Sequence, residues 1–152
     1  IARFTTSTHD KNANMTANPA IIQEMIDHLK GKIDSAAEKL AMYKEDFQKD
    51  AETLIISYGI TSRSVNQAVK MAREKGIRIS SLILQTLFPV PEKSIKSALV
   101  NIKKVIVPEM NMGQYLFEIE RLACGRAEVI GVNKMDTTLV SPKMILEKGR
   151  IE

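Results

Sequence analysis

The fold of this chain is decided by residues 53–84, TLIISYGITSRSVNQAVKMAREKGIRISSLIL. The stretch begins with the apolar, β-branched run Thr53–Ser57 and returns to a second apolar run at Ile77–Leu84. Between them lies an amphipathic segment through about Lys75, for which Thr61 or Ser62 is the predicted helix cap, and Gly76 is placed to end the helix. A strand, a helix and a second strand in this order are typical of a βαβ unit, whose two strands lie parallel in one sheet.

The alternation of strands and helices continues to the end of the chain. Two further strands are predicted at Lys104–Val107 and Ala127–Val132, and further helices at about 91–102, 113–123 and 142–149. The strands are apolar throughout rather than at every second residue, which indicates that both faces of the sheet are covered. We therefore predict an α/β protein, a three-layer α/β/α sandwich around a mostly parallel sheet.

The first 40 residues have a different character. Residues 1–18 are polar and are interpreted as a linker or arm from a preceding domain, and residues 19–152 as one domain with a long first helix. Asn18 and Pro19 suit the cap and first position of that helix. Its apolar stripe packs either on its own domain or on a partner chain, and it consists of Ile22, Ile26, Leu29, Ile33, Ala37 and Leu40.

Composition excludes several functions. The chain has 152 residues, 44% of them hydrophobic, a net charge of +4 and one cysteine, so it cannot ligate an iron–sulfur cluster alone. Aromatic residues make up 5% and tryptophan is absent, which argues against nucleic-acid binding. No apolar run approaches the roughly 20 residues that span a membrane. Neither a catalytic pair nor a metal-binding spacing is present, so we expect no catalytic residue, no metal and no bound cofactor in this chain.

Three turns follow the predicted strands, at the edge where open α/β sheets bind ligands or partners. In the first, Gly59, Ser62 and Arg63 suit an anion site, with a capped turn and an exposed arginine as the alternative. In the second, two prolines stiffen the connection and present Phe88.

The third turn, Pro108–Gln114, is the richest in polar groups. Asn111 suits a helix cap, and Gly113-Gln114 open the next helix. Glu109 and Gln114 then serve either as internal braces or as contacts to a subunit or a ligand, and the sequence supports both interpretations equally.

The residues of this third turn match a known family. PEMNMGQ at 108–114 and LFPVPEKSI at 87–95 resemble segments in the alpha subunit of 2-oxoacid:ferredoxin oxidoreductases, especially the 2-oxoglutarate enzymes. RFTT at 3–6 and the His9-Asp10 pair resemble the segment that leads into the carboxyl-terminal domain of that subunit, with Thr6 where glycine is usual. The resemblance covers almost the whole chain.

The resemblance implies a transketolase carboxyl-terminal-like domain with a mixed five-stranded sheet, one strand of which is antiparallel. Only four strands are evident from the residues, so the fifth is expected within 41–48 or 134–140. The contact residues implied are Glu109, Asn111, Gly113 and Gln114, with His9 and Asp10 against the missing domain.

The function implied is a non-catalytic one: assembling the enzyme and shaping the region around its active site. The parent enzyme would carry out coenzyme A-dependent oxidative decarboxylation of a 2-oxoacid and pass electrons to ferredoxin, while the isolated domain would be inactive. Thiamine diphosphate, magnesium, iron–sulfur clusters and coenzyme A would be held elsewhere.

The partners implied are the rest of the alpha subunit, the beta subunit and, in some enzymes, gamma or delta subunits. A homodimer is a further possibility. The location implied is the cytoplasm. The alternative is a stand-alone α/β module that binds a small anion or a nucleotide at the 58–63 turn.

Overall fold

The computed structural model describes residues 8–151. The chain divides into two compact units, with the boundary between Leu40 and Ala41. The predicted boundary between an arm and a domain at residue 18 stays a prediction, and the 3–6 segment of the family resemblance lies outside the described residues.

The first unit contains a short hairpin and one long helix. His9 and Met15 form an isolated antiparallel bridge. Helix α1, Pro19–Leu40, follows, and the Asn18 side chain accepts a hydrogen bond from the Ala20 backbone at 3.0 Å. The sequence prediction of an Asn18 cap with Pro19 at the first helical position is therefore confirmed. None of the residues of α1 is buried, so its apolar stripe remains at least partly accessible.

The second unit is built on a five-stranded sheet in the order β1-β3-β2-β4-β5. β1 is antiparallel to β3, whereas the other neighbouring pairs are parallel. The strands are β1 Tyr43–Asp46, β2 Thr53–Tyr58, β3 Ser80–Leu84, β4 Lys104–Glu109 and β5 Glu128–Asn133. The predicted mixed sheet is confirmed, and its fifth strand lies within 41–48; the candidate at 134–140 was wrong.

Four helices cover the two faces of this sheet. They are α2 Thr61–Glu74, α3 Glu92–Ala98, α4 Gln114–Ala123 and α5 Pro142–Lys148. Residues of α2 and α5 share one hydrophobic cluster with Ile55, Ile106 and Val132 of the sheet. Residues of α3 and α4 share the other cluster with the strand side chains that point to the opposite face of the sheet. The predicted three-layer α/β/α sandwich is confirmed.

The start of β3 differs from the sequence prediction because of the way α2 ends. The Ile77 N–H donates to the Ala72 carbonyl and the Gly76 N–H to the Arg73 carbonyl, which closes α2 in a Schellman motif. Gly76 has φ +80°, as a glycine at this position requires. Because Ile77 completes this motif, β3 begins at Ser80 rather than Ile77.

The start of α2 also differs. Thr61 is its first helical residue, and its hydroxyl donates to the Tyr58 carbonyl at 2.6 Å instead of capping a backbone N–H. The prediction that Thr61 or Ser62 would cap this helix was therefore wrong.

A close packing contact leads to a stability prediction at Gly149. A Cβ there would come within 2.6 Å of both Ile106 Cδ1 and the Ile145 carbonyl oxygen. We expect Gly149→Ala to lower the free energy of unfolding by about 1–3 kcal/mol, because backbone must move to relieve the overlap. Denaturant unfolding of the chain measures this.

The control is the same substitution at Gly31, where a Cβ meets nothing within 4 Å. Gly31→Ala should leave the unfolding of the α/β unit unchanged and raise helicity, since alanine is the better helix former. Equal stability of Gly149→Ala and wild type would contradict the packing interpretation.

Candidate functional site

The candidate site lies where β2 and β4 end. These strands are parallel neighbours, so Tyr58 and Glu109, the last residue of each, reach the same edge of the sheet. The Tyr58 hydroxyl donates to Glu109 Oε1 at 3.1 Å. Glu109 is only 1% exposed, which is rare for a carboxylate and makes any carboxylate oxygen without a donor costly.

The same carboxylate oxygen caps helix α4. Glu109 Oε1 also accepts from the Tyr115 backbone N–H at 2.9 Å. Asn111 Oδ1 accepts from the N–H groups of Gly113 at 2.8 Å and Gln114 at 3.1 Å. Side chains of the preceding turn therefore satisfy three N–H groups at this helix start, which would otherwise have no partner.

Asn111 closes the arrangement into a network. Its Nδ2 donates to the Tyr58 hydroxyl at 2.8 Å, so that hydroxyl both donates and accepts. The rings of Tyr58 and Tyr115 meet edge to face, with centroids 5.5 Å apart. We call Tyr58, Glu109, Asn111 and Tyr115 the Glu109 network. It joins β2, β4 and α4 at one point.

Burial governs the ionisation of the two tyrosines. Desolvation raises the pKa of Tyr58, and the neighbouring Glu109 charge raises it further. Desolvation is also the main cause that raises the pKa of Tyr115. Both phenols thus keep their protons at neutral pH, so the Tyr58 hydroxyl remains available as a donor to Glu109.

One oxygen of the network has no donor. Glu109 Oε2 is buried and accepts no hydrogen bond from the described residues. Within residues 8–151, the Ser57 hydroxyl is the other buried side-chain oxygen without a hydrogen-bond partner.

Gly113 is required by both backbone conformation and space. Its φ is +92°, in the left-handed region that favours glycine. A Cβ at Gly113 would lie 2.7 Å from Asn133 Nδ2. The turn after β4 therefore packs directly against the end of β5.

The four predicted contact residues differ in accessibility. Glu109 and Gly113 are buried, Asn111 is half-buried, and only Gln114 is exposed. Internal bracing, one of the two roles that the sequence allowed, is what the structure shows for Glu109 and Asn111. A direct contact role for any of the four residues stays a prediction.

Sequence reasoning missed the methionines beside this network. Met112 is 74% exposed and Met135 is 62% exposed. With Gln114 and Lys134 they line a cavity of about 390 Å³. The signal was present in the sequence, as two methionines at 110 and 112 directly after a buried strand.

These methionines belong to a larger apolar surface. Phe88, which the sequence predicted to be presented by its turn, is 77% exposed. Exposed apolar side chains follow the carboxyl ends of β2, β3, β4 and β5, and we name them the carboxyl-edge surface: Ile60, Leu87, Phe88, Met110, Met112 and Met135. Exposed apolar residues gathered on one edge make this surface a candidate interaction site.

The predicted anion-binding residues lie at the start of α2. Gly59 has φ +58°, and the Ser62 hydroxyl donates to the Gly59 carbonyl. Both residues line a cavity of about 480 Å³. The neighbouring Arg63 is exposed and is not among the lining residues. Anion binding here stays a prediction.

His9 and Asp10 lie in the first unit and organise its hairpin. Asp10 Oδ1 accepts from the N–H groups of Asn12 at 2.8 Å and Asn14 at 2.9 Å. The hydrogen bond from the Asn14 backbone is the main cause that lowers the pKa of Asp10. His9 Nδ1 lies 2.9 Å from the Asp10 carbonyl oxygen. Their predicted contact with another domain stays a prediction.

The described residues contain neither a metal-type cluster of side chains nor a helix suited to a membrane. Among residues 8–151 no group of three or more His, Cys, Asp or Glu side chains is arranged to hold a metal ion. In the same part of the chain, no helix is both long and apolar enough to cross a membrane.

Comparison with known proteins supports the resemblance. The family model described as pyruvate:ferredoxin oxidoreductase core domain II matches residues 51–145. The 2-oxoglutarate synthase subunit KorA of Methanothermobacter marburgensis is 37% identical over 142 residues, which cover 93% of this chain and 38% of that protein. The ketoisovalerate oxidoreductase subunit VorB of Methanothermobacter thermautotrophicus is 35% identical and covers 85% of this chain and 36% of its own length.

Solved structures share the fold. The 2-oxoglutarate:ferredoxin oxidoreductase from Magnetococcus marinus, solved with 2-oxoglutarate, coenzyme A and succinyl-CoA bound, aligns with a TM-score of 0.76 at 21% identity. The alignment covers 96% of this chain and 26% of that one. A split-gene transketolase aligns over 71% of this chain and 38% of its own, with a TM-score of 0.52 at 18% identity, which agrees with a transketolase-like fold.

The chain thus spans less than two fifths of the length of these curated relatives. The family match covers well over half of the chain and includes β2–β5, the Glu109 network and most of the carboxyl-edge surface. On this evidence the chain belongs to the family of the pyruvate:ferredoxin oxidoreductase core domain II.

Proposed function

We propose that this chain is a non-catalytic domain of the alpha subunit of a 2-oxoacid:ferredoxin oxidoreductase. The identity to KorA over 93% of the chain supports this proposal and makes 2-oxoglutarate the first candidate substrate. The parent enzyme would decarboxylate its 2-oxoacid oxidatively, transfer the acyl group to coenzyme A and pass the electrons to ferredoxin. This domain would help to assemble the enzyme and shape the region around its active site.

One observation supports this role above the others: the turn that carries two methionines of the carboxyl-edge surface is held in place by the Glu109 network. Met110 and Met112 lie in the turn between Glu109, which is buried, and α4, whose first N–H groups the network holds. The turn is therefore fixed before any partner binds. A fixed turn loses little conformational entropy on association, which favours tight assembly.

We propose that the rest of the alpha subunit and the beta subunit cover the carboxyl-edge surface. The relatives extend well beyond the matched region, since this chain covers 38% of KorA. Methionine side chains adapt their shape to an apolar partner, which suits Met110, Met112 and Met135 for such a contact. Ferredoxin, and a gamma or delta subunit where one exists, would bind the assembled enzyme.

The residues of this chain do not fit the iron–sulfur clusters or the magnesium ion of the proposed parent enzyme. An iron–sulfur cluster takes four cysteine ligands as a rule, whereas the chain has one cysteine. Within residues 8–151 no group of carboxylates or histidines suits a magnesium ion that would anchor thiamine diphosphate. We therefore assign the clusters and the magnesium ion to other parts of the enzyme, propose the same for thiamine diphosphate and coenzyme A on the family resemblance, and derive no catalytic step through this domain.

A test of the assembly role uses two exposed apolar residues of similar accessibility. Met112 is 74% exposed on the carboxyl-edge surface, and Val100 is 65% exposed beyond the end of α3. Met112→Asp in the intact enzyme should reduce recovery of the alpha–beta complex at least about tenfold, because a buried unpaired carboxylate is costly. Affinity purification of the beta subunit with the alpha subunit measures this.

Val100→Asp is the matched control, and it should assemble normally. Both variants should unfold at the wild-type temperature, since neither residue is in the core. Normal assembly of Met112→Asp, or equal loss with Val100→Asp, would refute the assignment of this surface.

A second test separates bracing from direct contact at Glu109. Glu109→Ala leaves the Tyr58 hydroxyl and the Tyr115 N–H without their acceptor and opens a cavity. We expect it to lower the free energy of unfolding by about 2–4 kcal/mol and to weaken assembly as a consequence. Denaturant unfolding and subunit recovery, measured on the same preparations, check both effects.

Glu109→Gln is the informative comparison, because its amide oxygen keeps the acceptor for both donors. It should fold and assemble like wild type if Glu109 acts as a brace. If Glu109→Gln folds normally but loses assembly, the carboxylate itself contacts the partner and the bracing role fails. Gln114→Ala, in contrast, should alter assembly without altering stability, since Gln114 is exposed.

A further inference from the structure

A groove beside the antiparallel edge of the sheet is separate from the carboxyl-edge turn after β4. It has a volume of about 480 Å³ and lies between α2 and the edge strands. The side chains and backbone that line it are Lys44, Tyr58, Gly59, Ser62, Asn66, Ile83, Leu84, Gln85 and Leu87. None of these lining residues is acidic.

The groove contains an unbalanced positive charge. Lys44 has no ion-pair partner among the described residues. Asp46, two residues along β1 on the same face, already pairs with Arg73 at 3.0 Å. The first turn of α2 also carries no acidic side chain. A cation that no carboxylate neutralises favours an anion from solution.

Two amide side chains add neutral donors to this cation. Asn66 of α2 and Gln85 after β3 both line the groove, and neither side chain has a hydrogen-bond partner among the described residues. Their backbones are held, since Asn66 lies within α2 and the Gln85 N–H donates to the Met42 carbonyl at 2.9 Å. Two amide residues and a lysine, from α2, the bend after β3 and β1, thus line one cavity.

The remaining walls are apolar. Ile83 and Leu87 supply the apolar lining, whereas the Leu84 side chain is buried in the cluster with α3 and α4 and the Tyr58 ring packs against Tyr115. Binding sites for small organic molecules combine walls of this kind with a few polar groups that fix orientation.

We propose that this groove binds a small organic anion, with a carboxylate or phosphate on Lys44, Asn66 and Gln85 and a short aliphatic part against Ile83 and Leu87. The site goes beyond the assembly role: it shares Leu87 with the carboxyl-edge surface and Tyr58 with the Glu109 network, but it contains none of the carboxyl-edge methionines. Gly59 and Ser62, which the sequence suggested for an anion site, line this groove. Arg63 does not, and Lys44 supplies the positive charge instead.

The test is a titration of the isotopically labelled 152-residue chain, followed through backbone amide resonances at 0.15 M sodium chloride. The probes are butyrate for the carboxylate source, inorganic phosphate and propyl phosphate for the phosphate source, and n-butanol as the neutral equivalent. Butyrate or propyl phosphate should shift the amides of Lys44, Asn66 and Gln85 in a saturable way, and n-butanol should not. The tighter of the two organic anions identifies the headgroup.

Lys44→Gln should weaken the binding at least about tenfold, the effect of losing one charged hydrogen bond. Lys75→Gln removes the same charge from an exposed position outside the groove and should bind like wild type. The anions are added in at least roughly 20-fold excess over the chain, up to about 50 mM. The proposal is overturned if no anion shifts these amides in that range. It is equally overturned if Lys44→Gln binds as wild type does, or if both variants lose affinity alike.

Discussion

The structure of the α/β unit at the carboxyl edge of its sheet depends on one buried carboxylate. Glu109 Oε1 accepts from the Tyr58 hydroxyl and from the Tyr115 N–H, and so it ties the end of β2 and the start of α4 to the end of β4. In the low-dielectric interior such bonds are strong, and losing any partner leaves a buried polar group unsatisfied. The geometry of the turn at 110–113 follows from this constraint.

This constraint explains why polar and apolar residues alternate so closely in the turn after β4. Glu109 and Asn111 point inward and satisfy backbone donors, whereas Met110 and Met112 remain exposed. The polar residues therefore serve the protein's own structure, and the apolar ones are available to a partner. This distribution reverses the usual expectation that charged residues make the contacts and methionines fill the core.

Much of the fold was predictable, because it follows from local pattern. The βαβ unit at 53–84 was evident from two apolar runs around an amphipathic helix, and Gly76 marked the end of that helix. β1 was not evident, since all four of its residues are exposed and its sequence, YKED, carries no apolar run. An edge strand is formed by pairing with its neighbour, here β3, and that information is not local.

The sequence pointed to Glu109 and Asn111 of the candidate site but left their roles open, and it did not point to Tyr58 or Tyr115. The sequence indicated that the turn at 108–114 was important, yet it supported bracing and contact equally. Burial of Glu109 to 1% exposure favours bracing, and Lys44 lines the proposed anion groove only because β1 pairs with β3. By itself, then, the sequence determined the layers, most of the strands and the family. Only the tertiary structure decided which side chains face inward at the carboxyl edge, because burial depends on contacts between segments far apart in the chain.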